Sequence, residues 1–425
     1  MKIIFIIIFS FFPFSSILGK IIFDNYFSEK TLRIDYCHSG NKENEIYSID
    51  ELIEEPIWGG SKINLIDKFN YGKYKFEVYD SLSNILIYSR GYSTLFGEWQ
   101  TTEQAKNTWK TFSETITFPY PQNAIIVKFY SRDRNNLWNK KFEYIVNPDN
   151  YFISKEKRNK CAVFKVHYSG SPFVKLDIVI IPDGYTKDEI DLFKKDCGRF
   201  AKYLLDTNPF TNNKDKINIW GVEAISEESG TDLPGENIWK NTIVNTNFYT
   251  FNSERYLTTR DNKILHNLAA NAPYDQIFIL VNTKKYGGCG IYNFYSLASS
   301  NNKDSNFLLI HEFGHAFAGL ADEYYTSDVS LQDFYPLNIE PWEPNITTLI
   351  DFDSKWKDMV DKDIPVPTPE IDKYKNKTGV FEGAGYAEKG IYRPSVNCTM
   401  KSVSYNNFCP VCRVAIQKRI DFYSK

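Results

Sequence analysis

Two histidines and a glutamate stand close together in this chain of 425 residues, at positions 311, 312 and 315. His311 and His315 are four residues apart, so on a helix they lie one turn above each other and both imidazoles can reach one metal ion, at about 2.0 to 2.1 Å. Glu312 lies beside them, where its carboxylate can take a proton from a metal-activated water and pass it to a leaving amine. The spacing therefore predicts a hydrolytic zinc site, with His311 and His315 as ligands and Glu312 as general base and acid.

The competing interpretation of these residues is a buried helix with two ordinary core histidines. The chain has five histidines in all, so a chance match to the motif is not negligible. Phenylalanine, leucine, isoleucine and alanine surround the motif, and an unpaired Glu312 would be costly to bury in such an apolar run. The sequence therefore favours zinc over satisfied core histidines.

A catalytic zinc needs a third protein ligand and an open fourth position. The histidine helix is predicted to end at Gly319 in a left-handed conformation, four residues after His315 and thus one more than is usual in the metzincin pattern, and Asp322 follows three residues later. Asp322 is therefore the predicted third ligand, with Glu323 as its rival. Met400 is the better candidate for a methionine turn beneath the metal, with a core gap-filler as the equal alternative. Tyr405 is a candidate donor to the developing oxyanion, for which a buried core tyrosine is the alternative.

The elements that position these residues differ between the two parts of the chain. In the N-terminal part, strand formers alternate or cluster between turn residues at 32–36, 74–79, 85–88 and 124–130, which predicts an antiparallel β-sandwich. Residues 147–160 are a predicted linker. Beyond it, predicted strands at 174–181, 217–220 and 276–281 alternate with helices such as 187–205. This alternation predicts an α/β domain with at least partly parallel strands.

The first 19 residues have the pattern of an export signal. Lys2 supplies a short positive end, the residues up to Leu18 are almost all apolar, and Gly19 suits cleavage. A signal anchor is the alternative, which Pro13 weakens, and no later stretch approaches the roughly 18 apolar residues of a membrane span. We predict a signal peptide at 1–19, a β-sandwich domain at 20–160 and a zinc metallopeptidase domain at 161–425. The expected location is extracellular, or periplasmic if the source is bacterial.

Composition narrows the class of partner. The chain is 42% apolar and 24% charged, as in ordinary soluble globular proteins. Its formal net charge of −3 gives no field that would favour nucleic acid or an anionic membrane surface. The class of partner must therefore be inferred from the site.

Seven cysteines make disulfides plausible in an exported chain, and the odd number leaves at least one thiol unpaired or linked to another chain. Cys398, Cys409 and Cys412 cluster near the C-terminus. The Cys409-Pro-Val-Cys412 spacing is that of half a zinc knuckle or of a redox pair, but a second matching pair is absent from the sequence. We therefore predict a structural disulfide among these three residues in preference to a metal site.

The run from His311 to Tyr324 resembles the signature of the IgA-specific metallopeptidase family, a group of exported, metzincin-like zinc peptidases. Similar blocks occur in the same order at 31–36, 183–186, 229–234, 273–275, 281–283, 286–288, 290–292, 381–386, 398–400 and 408–412. The resemblance implies zinc ligands at His311, His315 and Asp322 and a catalytic Glu312. It also implies an α/β, metzincin-like peptidase domain with a mixed sheet, preceded by an all-β sandwich. Cys289 departs from the pattern, because a smaller residue is expected between its flanking glycines.

The leading prediction is thus a secreted zinc endopeptidase that acts on protein or peptide substrates, with host immunoglobulin or another glycoprotein among the candidates. The alternatives are a non-catalytic β-sandwich binding or adhesion protein and a zinc amidase acting on cell-wall glycopeptide. Retention of Glu312 and both histidines argues against the non-catalytic alternative. Residues 286–292 are predicted to edge the cleft, where exposed backbone could pair with an extended peptide, with an ordinary glycine-rich turn as the equal alternative.

Overall fold

The computed structural model describes residues 21–325 and 335–425. The predicted signal peptide, residues 1–19, lies outside the described residues. Among the helices in the described ranges, none has both the length and the apolar character needed to cross a bilayer.

Antiparallel strands build the N-terminal part of the molecule. They are β1 (Phe27–Gly40), β2 (Glu45–Glu55), β3 (Tyr74–Asp80), β4 (Leu86–Tyr92), β5 (Lys110–Pro121), β6 (Ile125–Arg132) and β7 (Trp138–Val146), with the short helix α1 (Leu95–Trp99) after β4. One sheet has the order β2-β1-β5 and the other the order β4-β3-β6-β7. Strand β3 buries every second residue, as a strand does when one of its faces covers a core. Phe76 of β3 lies 5.9 Å from Phe118 of β5, ring centre to ring centre, so side chains of the two sheets meet. The N-terminal part is all-β, as predicted.

A mixed sheet forms the centre of the C-terminal part. Its strands are β8 (Val163–His167), β9 (Leu176–Asp183), β10 (Ile217–Val222), β11 (Gln276–Val281), β12 (Gly288–Ile291) and β13 (Tyr295–Ser299), in the order β12-β13-β11-β9-β10-β8. The four inner strands run parallel, whereas the edge strands β12 and β8 are antiparallel to their neighbours. The helices are α2 (Ile190–Leu205), α3 (Asn262–Ala269), α4 (Ser305–Ala318) and α5 (Pro410–Tyr423), and a hairpin of β14 (Phe381–Ala384) and β15 (Ala387–Arg393) precedes α5. The predicted mixed sheet with helices is confirmed.

Strand β9 is buried along its whole length because both faces of the sheet are covered. Ile178 and Ile180 point into a core that they share with helices α2, α4 and α5. Val179 and Ile181 point into the opposite core, to which helix α3 and the N-terminal sheets contribute. A strand covered on both faces is mostly apolar, which explains the apolar run at 178–182. Its two buried aspartates, Asp177 and Asp183, accept hydrogen bonds from Trp220 and from the backbone of Val244.

The N-terminal sheets and the mixed sheet share this second core, and Arg33 of β1 reaches across the boundary. Its Nε and Nη2 donate to the carboxylate of Asp35 at 2.8 and 2.7 Å, and its Nη1 donates to Oδ1 of Asn267 in helix α3 at 2.8 Å. Arg33 is 1% exposed and Asp35 is fully buried. The sandwich therefore packs directly against the mixed-sheet part.

We expect Arg33→Met to lower the free energy of unfolding by about 3 to 5 kcal/mol, because it leaves the buried carboxylates of Asp35 and Glu55 without their cation. Urea unfolding followed by tryptophan fluorescence would measure this loss. Lys202→Met is the control, since it removes an exposed ion pair with Asp206 and should change stability little. Equal stability of the two variants would contradict the importance of the buried pair.

The predicted disulfide among the C-terminal cysteines is wrong. All seven cysteines lie within the described ranges, and all carry free thiols. The sulfurs of Cys398 and Cys412 are 3.8 Å apart, whereas a disulfide bond is about 2.0 Å long. The three C-terminal thiols instead surround the carboxylate of Glu323, which the cysteine pattern could not reveal.

Candidate metal centre

Helix α4 carries the histidine motif and ends where the sequence predicts. Gly319 follows its last residue with φ +63° and ψ +31°, the left-handed conformation that a side chain disfavours. A Cβ at this position would also lie 2.9 Å from the ring of Trp342. The helix therefore ends within one turn of His315. The segment that follows brings Asp322 back to the two imidazoles.

Three side-chain atoms converge beside helix α4. Nε2 of His311 lies 3.1 Å from Nε2 of His315, and Oδ1 of Asp322 lies 3.1 and 3.3 Å from these two nitrogens. A tetrahedral ion with ligands at about 2.0 to 2.1 Å would hold any two of them about 3.3 Å apart. The triangle formed by the three atoms fits that geometry, and three is the number of protein ligands in a catalytic zinc site.

The hydrogen bonds of the two imidazoles direct their Nε2 atoms toward one another. Nδ1 of His311 donates to the carbonyl of Thr399 at 3.1 Å, and Nδ1 of His315 donates to the carbonyl of Leu320 at 2.6 Å. Because carbonyl oxygens only accept, Nδ1 of each ring carries a proton, and Nε2 of each ring faces the other ring and Oδ1 of Asp322. Burial opposes the charged form of His315, but Asp322 raises its pKa to about 9, so a proton lies between these atoms in the metal-free protein and a metal ion would take its place.

Asp322 is 7% exposed, and its two oxygens have different surroundings. Oδ2 accepts a hydrogen bond from the hydroxyl of Tyr386, whereas Oδ1 has no hydrogen-bond partner among the described residues. Burial by itself would raise the pKa of Asp322, but His315 and His311 hold it well below its usual range. Hydrogen-bond partners behind a metal ligand orient it and fix its protonation. Each of the three candidate ligands has such a partner: the Thr399 carbonyl, the Leu320 carbonyl or the Tyr386 hydroxyl.

Glu312 faces strand β12 and stands apart from the triangle. Its carboxylate lies within 4.8 Å of the histidine nitrogens, and the residue as a whole is half-buried. Burial raises the pKa of Glu312, and the nearby His311 and His315 oppose that rise. A carboxylate at this distance can reach a small molecule bound at the triangle.

The rival ligand, Glu323, points the other way. Its backbone N–H donates to the carbonyl of Met400 at 2.8 Å, while its carboxylate accepts from Nδ2 of Asn345 at 3.0 Å and approaches Sγ of Cys412 at 3.2 Å. The structure thus brings Asp322, and not Glu323, to the histidines.

Met400 is fully buried against the underside of helix α4. A Cβ built on Gly314 would lie 3.0 Å from the sulfur of Met400, so the glycine allows the methionine to approach one residue before His315. The preceding residue, Thr399, accepts the hydrogen bond from His311. The turn beneath the site therefore both fills the core and orients a candidate ligand. Tyr405 is 38% exposed, and its proposed role as an oxyanion donor stays a prediction.

The N-terminal sheets contribute a carboxylate, Glu98, to the surroundings of the candidate site, which the sequence did not indicate. Glu98 of helix α1 accepts a hydrogen bond from the hydroxyl of Tyr256, which also lies 3.3 Å from the sulfur of Cys289. The pKa of Glu98 is raised to about 7, mainly by burial and in smaller part by Glu312, against the opposing effects of Tyr256 and His315. Glu98 is thus close enough to the candidate site for the charges of His315 and Glu312 to act on it. Cys289, the departure from the family pattern, is buried in this cluster.

Two glycines of strand β12 approach Glu312 in different ways. A Cβ at Gly288 would lie 2.7 Å from Oε1 of Glu312, whereas a Cβ at Gly290 would lie 2.0 Å from its backbone carbonyl oxygen. A side-chain carboxylate can turn aside, but the backbone of a packed helix cannot. Substitution at Gly288 should therefore disturb the site, and substitution at Gly290 should disturb the fold.

We expect Gly288→Ala to lower kcat/KM for a protein substrate about a hundredfold, the effect of moving a catalytic group by about 1 Å. Its melting temperature should stay near that of the parent, while Gly290→Ala should melt at a clearly lower temperature. Differential scanning fluorimetry and initial rates would measure both effects. An unchanged rate in a folded Gly288→Ala protein would show that the carboxylate is not confined by β12.

The sequence matches family models along most of its length. The model described as IgA Peptidase M64 matches residues 164–375 and 370–420, and the model described as Peptidase M64 N-terminus matches residues 22–143. No curated protein matches the chain. The first model alone spans more than half of the chain and includes helix α4, Asp322 and the turn of Met400. The protein therefore belongs to the IgA peptidase family and is a metallopeptidase.

Proposed function

We propose that this metallopeptidase is a zinc-dependent endopeptidase that cleaves protein substrates outside the cytoplasm. His311, His315 and Asp322 would hold the ion, and Glu312 would be the general base and then the general acid. The observation that carries the proposal is the triangle of His311 Nε2, His315 Nε2 and Asp322 Oδ1, with sides of 3.1 to 3.3 Å. Zinc bound there would supply a Lewis acid that polarises the scissile carbonyl and lowers the pKa of water.

Side chains of the protein would then transfer the proton of the attacking water. The Glu312 carboxylate takes a proton from the attacking water and delivers it to the nitrogen of the leaving amine, which breaks the peptide bond. Burial raises the pKa of Glu312, and a raised pKa makes its protonated form a better match for proton delivery near neutral pH. Thr399 and Leu320 keep the imidazoles oriented through their carbonyls.

Strand β12 offers a place for the substrate. It is the edge strand of the mixed sheet and lies over Glu312; its first residue, Gly288, forms an isolated bridge with Tyr256, and Gly290 is only partly buried. An extended peptide that adds to a sheet edge gains main-chain hydrogen bonds and places alternate side chains in pockets. We propose that the substrate lies along β12 with its scissile bond above Glu312. The name of the family makes immunoglobulin A the first protein to test.

The test combines metal analysis with cleavage assays. Purified protein would be incubated with casein and with immunoglobulin A, and the fragments would be identified by mass spectrometry. We expect internal cleavage that stops when a chelator removes the metal and returns when zinc is restored. A folded, zinc-loaded enzyme that cuts no protein but releases amines from cell-wall glycopeptide would overturn the proposal. N-terminal sequencing of protein recovered from the culture medium would test export, with a start near Lys20 as the expected result.

A further inference from the structure

A second group of metal-binding side chains lies behind the candidate active site. It consists of Glu323, Cys398, Cys409 and Cys412, which are between 0 and 4% exposed. One donor atom from each residue lies within 4.8 Å of the donor atoms of the other three. None of the four takes part in the peptidase chemistry proposed above.

The distances within this group fit a tetrahedral zinc ion. With Zn–S bonds of about 2.3 Å, two sulfur ligands lie about 3.8 Å apart, and a sulfur and a carboxylate oxygen lie about 3.5 Å apart. The sulfurs of Cys398 and Cys412 are 3.8 Å apart. Oε1 of Glu323 is 3.2 Å from the sulfur of Cys412 and 4.0 Å from that of Cys409. Weak thiol hydrogen bonds also have these lengths, and one shared ion would replace all of them at once.

Burial raises the pKa of the Cys398 and Cys412 thiols, so a metal ion that binds here must displace their protons. The backbone N–H groups of Met400 and Cys409 point at the sulfur of Cys398, at 3.5 and 3.3 Å, so this sulfur serves as an acceptor. Cys409 caps the N-terminus of helix α5, a position that stabilises a negative sulfur. Thiolates are the ligands that select zinc over harder metals.

Glu323 is the second indication of a cation. Its residue is fully buried, and its Oε2 has no hydrogen-bond partner among the described residues. Burying a carboxylate oxygen without a hydrogen-bond partner costs free energy. A metal ion bound to the carboxylate would offset that desolvation cost. Asn345 donates from Nδ2 at 3.0 Å to Oε1, the oxygen that also approaches the sulfur of Cys412, so the carboxylate is held in place beside the thiols.

We propose that Glu323, Cys398, Cys409 and Cys412 bind a second, structural zinc ion. Four protein donors close the site to substrate, as in structural zinc centres. The ion ties together the segment after helix α4, the turn of Met400 and the start of helix α5. Its ligands adjoin the catalytic ones, because Glu323 follows Asp322 in the chain and Cys398 precedes Thr399, the acceptor for His311. The second zinc therefore holds the backbone that orients the first.

Metal content and cobalt spectra of the full chain test this proposal. We expect two zinc ions per chain by mass spectrometry of the metal, falling to one in Cys412→Ser and to one in His315→Ala. After replacement by Co²⁺, thiolate ligands produce an intense near-ultraviolet charge-transfer band. That band should persist in His315→Ala and be lost in Cys412→Ser, which separates this site from the catalytic one.

If the Cys412→Ser protein fails to fold, a conservative variant and a measurement on the parent protein decide. Glu323→Gln keeps the shape of the side chain and should retain the band at altered intensity and bind the second zinc at least tenfold more weakly. Thiol alkylation of the native parent should spare three C-terminal cysteines until a chelator is added. One zinc per chain, no thiolate band in the cobalt protein, and thiols that alkylate freely or join in a disulfide would overturn the proposal.

Discussion

Glu312→Gln should lower kcat/KM for a protein substrate about a thousandfold or more, while its zinc content stays equal to that of the parent. The amide is nearly the same size as the carboxylate but cannot accept the proton of the attacking water, and loss of a general base typically costs 10²- to 10⁴-fold. The triangle of His311, His315 and Asp322 does not include Glu312, so metal binding should survive. Initial rates and metal analysis on the same preparation would measure both quantities.

The control for this variant is Glu388→Gln, the same chemical change at an exposed position on strand β15. It should cleave at the parental rate. Circular dichroism would verify that both variants fold alike. A Glu312→Gln enzyme that keeps a tenth of the parental activity would exclude Glu312 as the base and direct attention to Glu98, the other carboxylate near the site.

Asp322→Asn should reduce zinc affinity at the histidine site at least a hundredfold and abolish cleavage at ordinary zinc concentrations. The substitution removes the negative charge that the two imidazoles face at 3.1 and 3.3 Å, and a neutral amide oxygen is a weaker ligand. Titration of the metal-free protein with zinc, followed by calorimetry, would measure the affinity.

The adjacent residue provides the matched control. Glu323→Gln makes the same change of charge one position along the chain, but its side chain faces the cysteines. In the cobalt-substituted protein, Asp322→Asn should leave the thiolate band intact, whereas Glu323→Gln should alter it. If Glu323→Gln removed the metal from the histidines and Asp322→Asn did not, the rival ligand assignment would be correct.

Local spacing was enough to predict the helix of the motif and its end. Histidines four residues apart in an apolar run require a helix if they are to share a metal, and Gly319 supplies the conformation that ends it. The alternation of strands in the two parts of the chain likewise predicted an all-β part and a mixed sheet. These features depend on residues that are near neighbours in the sequence, so a single sequence carries them.

Features that depend on tertiary contacts were not predictable in the same way. The choice between Asp322 and Glu323 depends on a hydrogen bond from the backbone of Glu323 to Met400, which reverses the directions of two adjacent side chains. The approach of Glu98 depends on a contact with Tyr256, which lies 158 positions further along the chain. The prediction of a disulfide among the C-terminal cysteines used only the number and spacing of the cysteines. It could not show that the carboxylate of Glu323 lies among the three sulfurs.

The core that the sandwich shares with the mixed sheet has a consequence for how this peptidase meets its substrates. With Val179 and Ile181 packed into that core, the two parts should melt in a single cooperative transition, and a truncated peptidase part would expose an aggregation-prone apolar face. Because one core joins the two parts, neither can rotate against the other to open the histidine site. The site would then favour flexible, extended segments such as inter-domain linkers over folded domains.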